Sequence, residues 1–297
     1  MAIHKPVLLK EIIDYLKPKP NQNFIDCTIG GGGQAFKILS MTGPKGKLLG
    51  IDLSEEAIDE LNKIKNKDKK IKNRLILVND NFANLKKIVE KYNFKNVSGI
   101  LLDLGLSTDL LKSGKGFSFQ QDEFLDMRYG KDGITAYEII NQYPKESLEK
   151  ILREFGEEKL AKPIVKNILE KRHFKKIRTT KELVEVVNEV LKKFKIYNFK
   201  SKVKTLARVF QALRIAVNDE LENLKKVLPQ TLEILESGGK IMVISYHSLE
   251  DRIVKNFFKE KKGILKIITK KPIRPTQEEI KSNPSSRSAK LRIAIKK

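Results

Sequence analysis

The fold is decided by the stretch Ile25-Asp26-Cys27-Thr28-Ile29-Gly30-Gly31-Gly32-Gly33, in which four glycines follow an apolar segment. Residues 23–25 predict the start of a buried strand, and residues 35–39 predict a helix with one buried face. A strand, a glycine run and a helix together leave backbone N–H groups open to a ligand. Glycine suits this turn because a side chain would block the ligand and because such turns can require a positive φ. The stretch therefore predicts a ligand-binding loop, with a purely structural turn as the alternative.

Two kinds of ligand fit this glycine loop. The spacing Gly30-x-Gly32-x-x-Ala35 agrees with the pyrophosphate fingerprint of NAD enzymes. Asp26, however, stands at the end of the strand just before the glycines, where its carboxylate would repel a pyrophosphate. S-adenosylmethionine has an ammonium group, a sulfonium group and no phosphate, so Asp26 favours it as the ligand. An NAD(P)-dependent oxidoreductase remains the alternative at this point.

The composition indicates where the protein is located and whether it is expected to bind a metal. The chain has 297 residues, which predicts one large domain or two unequal ones. Cys27 is the single cysteine, which excludes an intramolecular disulfide and a cysteine metal cluster, and the three histidines lie far apart, so no metal site is predicted. No apolar run has the length of a membrane span, and the amino terminus lacks a signal-peptide core. We therefore expect a cytoplasmic protein without membrane contact.

The net charge of +23 indicates a polyanionic partner. A basic surface attracts phosphate backbones by releasing their counterions, so nucleic acid is the favoured partner. The alternative is that lysine-rich patches such as residues 65–72 are only solvated loops. A non-catalytic RNA-binding assembly factor is therefore a second functional alternative.

Three further predicted strands end in residues that suit a cofactor. The strand 47–52 ends in Asp52, twenty positions after Gly32, where this type of fold places the acid that binds ribose hydroxyls. Phe82 follows the strand 75–78 and could flank an adenine, or simply cap the core. Asp103 lies near the end of the strand 97–104. Because ligands of open α/β sheets bind at the carboxyl edge of the strands, we expect these three residues beside the glycine loop.

A long interruption separates the fourth strand from the fifth. The fifth predicted strand begins at Gly239, about 135 residues later, whereas connections in α/β units usually take a few residues. Residues 109–203 are therefore predicted to form an inserted helical subdomain that binds the substrate. Residues 1–108 and 204–297 would form the cofactor-binding domain.

A predicted helix at 205–221 has an apolar face and an opposite face that is basic and amide-bearing. Lys204, Arg208 and Arg214 lie on that polar face with Gln211 and Asn218. A solvated helix usually carries both signs of charge, so this face is predicted to follow a phosphate backbone. A plain solvated face is the alternative.

Together, the glycine loop and the strand-end carboxylates fit an α/β fold of the class I methyltransferase type, a Rossmann-like, mostly parallel sheet. The sequence shows no nucleophile with a neighbouring general base and no phosphate-binding Gly-Lys-Ser/Thr motif. Methyl transfer to an amine needs little acid–base chemistry, because the protein mainly aligns lone pair, methyl carbon and sulfur and excludes water.

Several longer motifs are specific enough to indicate a family. They span nearly the whole chain: residues 4–9 (HKPVLL), 26–33, 101–105 (LLDLG), 116–119 (GFSF), 125–128 (LDMR), 155–158 (FGEE), 210–215 (FQALRI) with Asn218 and 220–221, 247–252 (HSLEDR), and 283–284 with 287–288. On these motifs the chain resembles the bacterial small-subunit ribosomal RNA cytosine-N4 methyltransferases, the RsmH or MraW family.

The resemblance implies a reaction and a set of cofactor contacts. The reaction is S-adenosylmethionine-dependent methylation of the exocyclic N4 of a cytosine in the decoding region of 16S ribosomal RNA, in an assembled or assembling small subunit. The implied cofactor contacts are Gly32, Gly33, Gln34, Asp52, Phe82 and Asp103. Gln34 replaces the usual histidine of the family, and Leu110 stands where members often have a polar cofactor contact.

The residues that carry the chemistry are less clear from the sequence. The chain lacks the Asp/Asn-Pro-Pro-aromatic motif of DNA amine methyltransferases, so the proton acceptor stays open. Our hypothesis is that Asp103 and the backbone of its loop position cofactor and amine, while His247 and Arg252 orient the RNA. The alternative for His247 is that it only ties its loop to neighbouring helices. Arg128 and Arg287, which lie in the shared motifs, are further candidate RNA-binding residues.

Overall fold

The computed structural model describes residues 5–106, 108–111 and 113–297, without the side chains of residues 108 and 109. His4, which belongs to the first of the motifs above, lies outside the described residues. The chain divides into two compact units, one formed by Met1–Gly105 with Leu221–Lys297 and the other by Leu106–Glu220. Each unit has a hydrophobic core of its own.

The first unit contains a seven-stranded sheet. Its strands are β1 (Asn23–Asp26), β2 (Leu48–Asp52), β3 (Leu75–Asn79), β4 (Val97–Asp103), β5 (Leu235–Ser245), β6 (Leu265–Ile267) and β7 (Lys290–Lys296). They are arranged in the order β3-β2-β1-β4-β5-β7-β6. Strands β1 to β5 pair in parallel, and β7 runs antiparallel to both β5 and β6. This sheet confirms the predicted α/β class, and its strand order reverses between β1 and β4, where such sheets bind ligands.

Helices surround the sheet and make up the second unit. In chain order they are α1 (Leu9–Leu16), α2 (Gly33–Met41), α3 (Glu55–Lys67), α4 (Lys69–Lys72), α5 (Leu85–Lys91), α6 (Thr108–Leu111), α7 (Ala136–Gln142), α8 (Lys145–Glu154), α9 (Ala161–Phe174), α10 (Thr180–Lys193), α11 (Phe199–Asn218), α12 (Glu220–Ile234), α13 (Ser248–Glu260) and α14 (Gln277–Ser282). None of these described helices is long and apolar enough to cross a membrane.

Both faces of the sheet are buried, because successive residues of a strand point to opposite faces. Phe24 of β1 lies in one hydrophobic cluster and Ile25 lies in the other. Leu101 and Leu102 of β4 divide in the same way. Two covered faces explain why the central strands read as near-continuous apolar runs, which is typical of parallel sheets.

The second unit is helical, and its core includes the apolar face of α11. Val209, Phe210 and Leu213 of that helix lie in the cluster formed with α7 to α10. The compact unit therefore continues to Glu220, whereas the sequence placed the end of the insertion at residue 203. Helical periodicity shows that a helix has an apolar face, but not which core receives it. The substrate-binding role of the insertion stays a prediction.

A buried ion pair joins β7 to α13 and gives a test of the fold of the first unit. The guanidinium of Arg292, only 6 % exposed, donates from Nε and Nη2 to the two carboxylate oxygens of Asp251 at 2.7 and 3.0 Å. Removing the carboxylate would leave a buried, unpaired charge. We expect Asp251→Ala to lower the free energy of unfolding by roughly 3 kcal/mol in urea titrations.

The matched control is Asp14→Ala, which removes the partner of the exposed Lys10. An exposed pair of this kind contributes much less, because water and salt screen both charges. Equal losses for the two variants would contradict a stabilising role of the buried pair.

Candidate cofactor site of the first unit

The loop between β1 and α2 can be built only with glycine at its key position. Gly32 is the N-cap of α2 and has a φ of 78°, in the left-handed region. A Cβ at this position would lie 2.7 Å from a ring carbon of Phe36 and 2.8 Å from Cδ2 of Leu61. The backbone of the loop at Gly32 therefore packs directly on side chains of α2 and α3. The glycines themselves put no side chain on the other face of the loop.

Asp52, the last residue of β2, holds this loop in place. Its Oδ2 accepts a hydrogen bond from the backbone N–H of Gly30 at 2.8 Å, and its Oδ1 accepts one from Ser54 at 2.9 Å. Burial raises the pKa of Asp52, and these backbone donors partly oppose that shift. Asp52 thus has a structural task in the loop besides the predicted ribose contact, which stays a prediction.

Asp103, the last residue of β4, is oriented by two neutral donors. Its Oδ2 accepts from Nε2 of Gln34 at 3.1 Å, and its Oδ1 accepts from the hydroxyl of Tyr246 at 2.9 Å. Its backbone N–H donates to Oγ1 of Thr28 at 2.7 Å. Burial, followed by the charge of Asp103, raises the pKa of Tyr246, so its phenol remains a hydrogen-bond donor. These bonds therefore fix the orientation of the carboxylate.

Gly105 is required by the same arrangement. A Cβ on Gly105 would lie 2.6 Å from a ring carbon of Tyr246, which bonds to Asp103. Thr28 and Tyr246 were not predicted as site residues. Tyr246 follows β5, the parallel neighbour of β4, so the argument that parallel strand ends share one edge could have identified it.

Asp26 ends β1 and is the most deeply buried carboxyl of the site, with 1 % exposure. Its Oδ1 accepts from the backbone N–H of Thr28 at 3.1 Å. Desolvation, opposed by the hydrogen bond from Thr28 and assisted by the charges of Asp103 and Asp52, raises the pKa of Asp26 to about 7. Three carboxyl groups thus end the adjacent parallel strands β2, β1 and β4. Such an edge suits a cationic ligand and opposes a pyrophosphate.

The raised pKa of Asp26 predicts how pH affects the stability of the protein. The folded state holds the proton up to about pH 7, whereas the unfolded state releases it near 3.8, so this group destabilises the fold increasingly as pH rises between those values. We therefore expect Asp26→Asn to gain stability relative to the wild type as pH rises from 5 to 7, by up to about 1.4 kcal/mol per pH unit, and no further gain above that range. Urea titrations at pH 5, 7 and 8.5 measure this difference. If the difference in stability between Asp26→Asn and the wild type does not change with pH, the raised pKa assigned to Asp26 is contradicted.

Phe82 begins a 3₁₀ turn, Phe82–Asn84, which follows β3. Its ring is partly buried against the hydrophobic cluster on one face of the sheet. Asp80, just before it, is used by the turn, since its Oδ1 accepts from Asn81 at 2.6 Å and from Asn84 at 2.9 Å. The structure thus places Phe82 at the carboxyl edge of the sheet, and its contact with an adenine stays a prediction.

His247 caps α13 and binds Glu250. Its Nδ1 accepts from the backbone N–H of Glu250 at 3.5 Å, while Glu250 accepts from the backbone of Tyr246 and of His247. Its Nε2 lies 3.1 Å from Oε1 of Glu250. Among the described residues, this nitrogen has no neighbour that meets the geometry of a hydrogen bond. These contacts agree with the loop-tying alternative, and a role in orienting RNA stays a prediction.

The polar face of α11 is largely engaged inside the second unit. Arg214 makes two hydrogen bonds to Glu220, at 2.8 and 3.0 Å, and Arg208 lies 3.6 Å from the buried Glu158. Gln211 donates to a backbone carbonyl at 2.9 Å. These bonds account for several polar groups that the sequence assigned to a phosphate backbone.

The remaining predicted residues differ in their surroundings. Arg128 is held by Asp126, with an Nε–Oδ1 distance of 2.6 Å, and Leu110 packs against the core of the second unit. The exposed residues are Lys204, Arg252 and Arg287. Contacts of all these residues with cofactor or RNA stay predictions.

Comparisons with known proteins agree over the full length of the chain. The model of the MraW methylase family matches residues 1–297. A protein from Persephonella marina named ribosomal RNA small subunit methyltransferase H is 43 % identical over 297 residues, covering 99 % of each chain. A protein of the same name from Caldicellulosiruptor saccharolyticus is 45 % identical over 315 residues, covering 100 % of each chain. A crystal structure from Clostridium thermocellum, described as that of a candidate rRNA methylase, has a TM-score of 0.50 at 16 % identity, covers 99 % of each chain and shows similarity of fold alone.

Proposed function

We propose that this chain, which belongs to the MraW methylase family, transfers the methyl group of S-adenosylmethionine to the exocyclic N4 of a cytosine in small-subunit ribosomal RNA. The observation that carries the proposal is the group of three strand-end carboxyls, Asp26, Asp52 and Asp103, around a glycine loop. The names of the relatives support the ribosomal RNA substrate. The choice of cytosine N4 rests on the motifs shared with the family.

The residues of the site fit S-adenosylmethionine better than a dinucleotide. The glycine loop puts no side chain in the way of a ligand at residues 30–33, and the nearby carboxyls attract a cation. Gly32, Gly33 and Gln34 would hold the amino acid part, Asp52 the ribose hydroxyls and Phe82 the adenine. Asp26 would gain a positively charged neighbour, which favours its ionised form. An NAD(P)-dependent oxidoreductase is set aside because a pyrophosphate beside these carboxyls would be repelled.

The bound cofactor supplies an electrophilic methyl group, and the protein must present the amine to it. Cytosine N4 is a weak nucleophile because its lone pair is delocalised into the ring. The target base must therefore leave its stack and be held in line with the methyl group. Asp103, fixed by Gln34 and Tyr246, is the group that accepts a hydrogen bond from the amine and stabilises the positive charge that develops on it.

The second unit is proposed to bind the RNA substrate. The net charge of +23 supplies the general attraction to phosphate. Lys204 of the second unit is an exposed cation suited to it, as are Arg252 and Arg287 of the first unit. We further propose an assembled or assembling small subunit as the substrate and a cytoplasmic location, where such particles occur. A non-catalytic RNA-binding factor would have no use for three strand-end carboxyls at a ligand loop.

Two measurements test this function. Calorimetry with S-adenosylhomocysteine and with NADH is expected to show binding of the former alone. Transfer of labelled methyl groups is then measured on free 16S ribosomal RNA and on small subunits, followed by nucleoside analysis. N4-methylcytidine is the expected product. Binding of NADH without S-adenosylhomocysteine, or another methylated nucleoside, would overturn the proposal at the cofactor or at the target atom respectively.

A further inference from the structure

A lysine-rich segment with exposed aromatic rings joins α10 to α11. It runs from Lys192 to Lys204 with the sequence KKFKIYNFKSKVK, contains six lysines and no acidic residue, and is called the Lys192–Lys204 segment below. Three large rings within it face solvent, since Phe194 is 52 %, Tyr197 67 % and Phe199 79 % exposed. Exposed rings in such number are unusual on a surface that serves only to face water.

The backbone of the segment is built to keep these rings outside. The end of α10 forms a Schellman motif, in which Ile196 donates to the carbonyl of Leu191 at 2.9 Å and Lys195, with a φ of 57°, donates to that of Lys192 at 3.0 Å. The side chain of Ile196 packs against the core of the second unit. Asn198 then caps α11 by accepting from Ser201 at 3.1 Å. One apolar side chain thus anchors the turn, and the rings on either side of it project outward.

The charges of the segment are also left available. Elsewhere in the second unit, Lys171 pairs with Glu189 at 2.6 Å and Lys175 pairs with Glu182 at 2.7 Å. Within the part of the chain that the structure describes, none of the six lysines of the Lys192–Lys204 segment has a carboxylate within 4 Å. The segment therefore presents positive charge and aromatic faces together.

This combination identifies the partner by its chemistry. A second copy of the chain would bring the same six positive charges and would be repelled. A nucleic acid offers phosphates for the lysines and base faces for the rings, but the faces are accessible only where the strand is unpaired and unstacked. We propose that the Lys192–Lys204 segment is a binding site for unpaired RNA, in which its rings stack on bases and its lysines neutralise phosphates. The proposal rests on the proposed function for the identity of the nucleic acid as RNA.

A fluorescence experiment tests the stacking directly. The chain contains no tryptophan, so Tyr197→Trp gives a protein with one indole at the segment. The matched control is Phe174→Trp, at an exposed ring, 87 % accessible, which ends α9. Phe174 precedes α10, whereas Phe194 and Tyr197 follow it. The fourteen residues of α10, at about 1.5 Å each, form a helix about 21 Å long between the control position and the segment.

Single-stranded oligoribonucleotides are expected to quench the fluorescence of Tyr197→Trp in a saturable manner, and a duplex of the same sequence to quench it much less. Phe174→Trp should show little quenching with either. Equal quenching at both positions, no quenching at Tyr197→Trp, or a response to anionic lipid vesicles and not to RNA would overturn the proposal.

Affinity measurements separate the rings from the charges. The triple variant Phe194→Ala, Tyr197→Ala, Phe199→Ala is expected to weaken single-strand binding about tenfold or more, with an unchanged dependence on salt. Phe174→Ala should bind like the wild type. Replacing Lys192, Lys195 and Lys200 by Gln should reduce the slope of log affinity against log salt concentration. A ring variant that binds single strands like the wild type would overturn the proposal.

The same variants distinguish this proposal from the proposed function. Binding of S-adenosylhomocysteine by the first unit should stay unchanged in the ring variant, which also reports on correct folding. If RNA does not quench Tyr197→Trp while methyl transfer to small subunits is intact, only the proposal for the Lys192–Lys204 segment is overturned. Stacking without transfer to any ribosomal RNA would instead overturn the proposed function.

Discussion

Asp103→Asn is expected to lower the single-turnover rate of methyl transfer by roughly 10²-fold to 10³-fold at saturating cofactor and RNA. The magnitude is that of removing one preorganised group that stabilises charge in a transition state. The carboxylate is fixed before the substrate arrives, because Gln34 and Tyr246 each donate to one of its oxygens, at 3.1 and 2.9 Å. A neutral amide cannot stabilise the positive charge that develops on the amine to the same extent.

Part of that loss would be positional, and a second variant measures this part. An Asn side chain has one acceptor and one donor end, so it cannot accept from both the hydroxyl of Tyr246 and the amide of Gln34. Tyr246→Phe removes one of these donors and leaves the carboxylate in place. It is expected to slow transfer about tenfold or less, as the loss of one hydrogen bond would.

The result is read from the rate and from the affinity for S-adenosylhomocysteine together. A large fall in rate with nearly unchanged affinity supports contact between Asp103 and the amine. A fall in affinity that accounts for the whole effect would assign Asp103 to the cofactor alone. Wild-type rate and wild-type affinity in Asp103→Asn would remove it from the site.

The strand-end carboxyls could be predicted because the pattern that defines a parallel sheet also fixes where its ligands bind. Asp52 and Asp103 each follow an apolar run, and parallel strands end at one edge, so their proximity to the glycine loop needed no coordinates. The hydrogen bond from Gly30 to Asp52 could not be predicted in this way, since it depends on the path of a loop. The contact of Tyr246 with Asp103 could be predicted only in part. The sequence shows that Tyr246 follows a strand, but the strand order is needed to know that this strand, β5, lies next to β4.

The polar face of α11 shows where periodicity is insufficient. The pattern at 205–221 reads as one helix, but the chain turns at Asp219, which has a φ of 49°, and a new helix starts at Glu220. This turn brings the carboxylate of Glu220 to Arg214, six positions earlier, a spacing that a continuous helix would not bring together. The partner of Arg208, Glu158, lies fifty positions away and is buried, so only the tertiary structure reveals it. Basic residues on a predicted helix face are therefore weak evidence for nucleic acid until their partners are known.

Asp52→Ala is expected to weaken binding of S-adenosylhomocysteine by roughly 1–3 kcal/mol, about 5-fold to 150-fold. Two causes contribute, since the variant loses the acceptor for the ribose hydroxyls and also the acceptor for the N–H of Gly30. Calorimetry measures the total loss but cannot divide it between ribose recognition and positioning of the loop.

A thermodynamic cycle with a modified ligand makes that division. Adenosine and 2′,3′-dideoxyadenosine differ only in the ribose hydroxyls, so the wild type should prefer adenosine, whereas Asp52→Ala should bind the two nearly equally. The part of the affinity loss that persists with the dideoxy ligand then belongs to the loop, where Asp52 joins the backbone of Gly30 to that of Ser54. If Asp52→Ala keeps the full preference for adenosine, the ribose contact lies elsewhere. Asp52 would then act only by holding the glycine loop in the conformation that receives the cofactor.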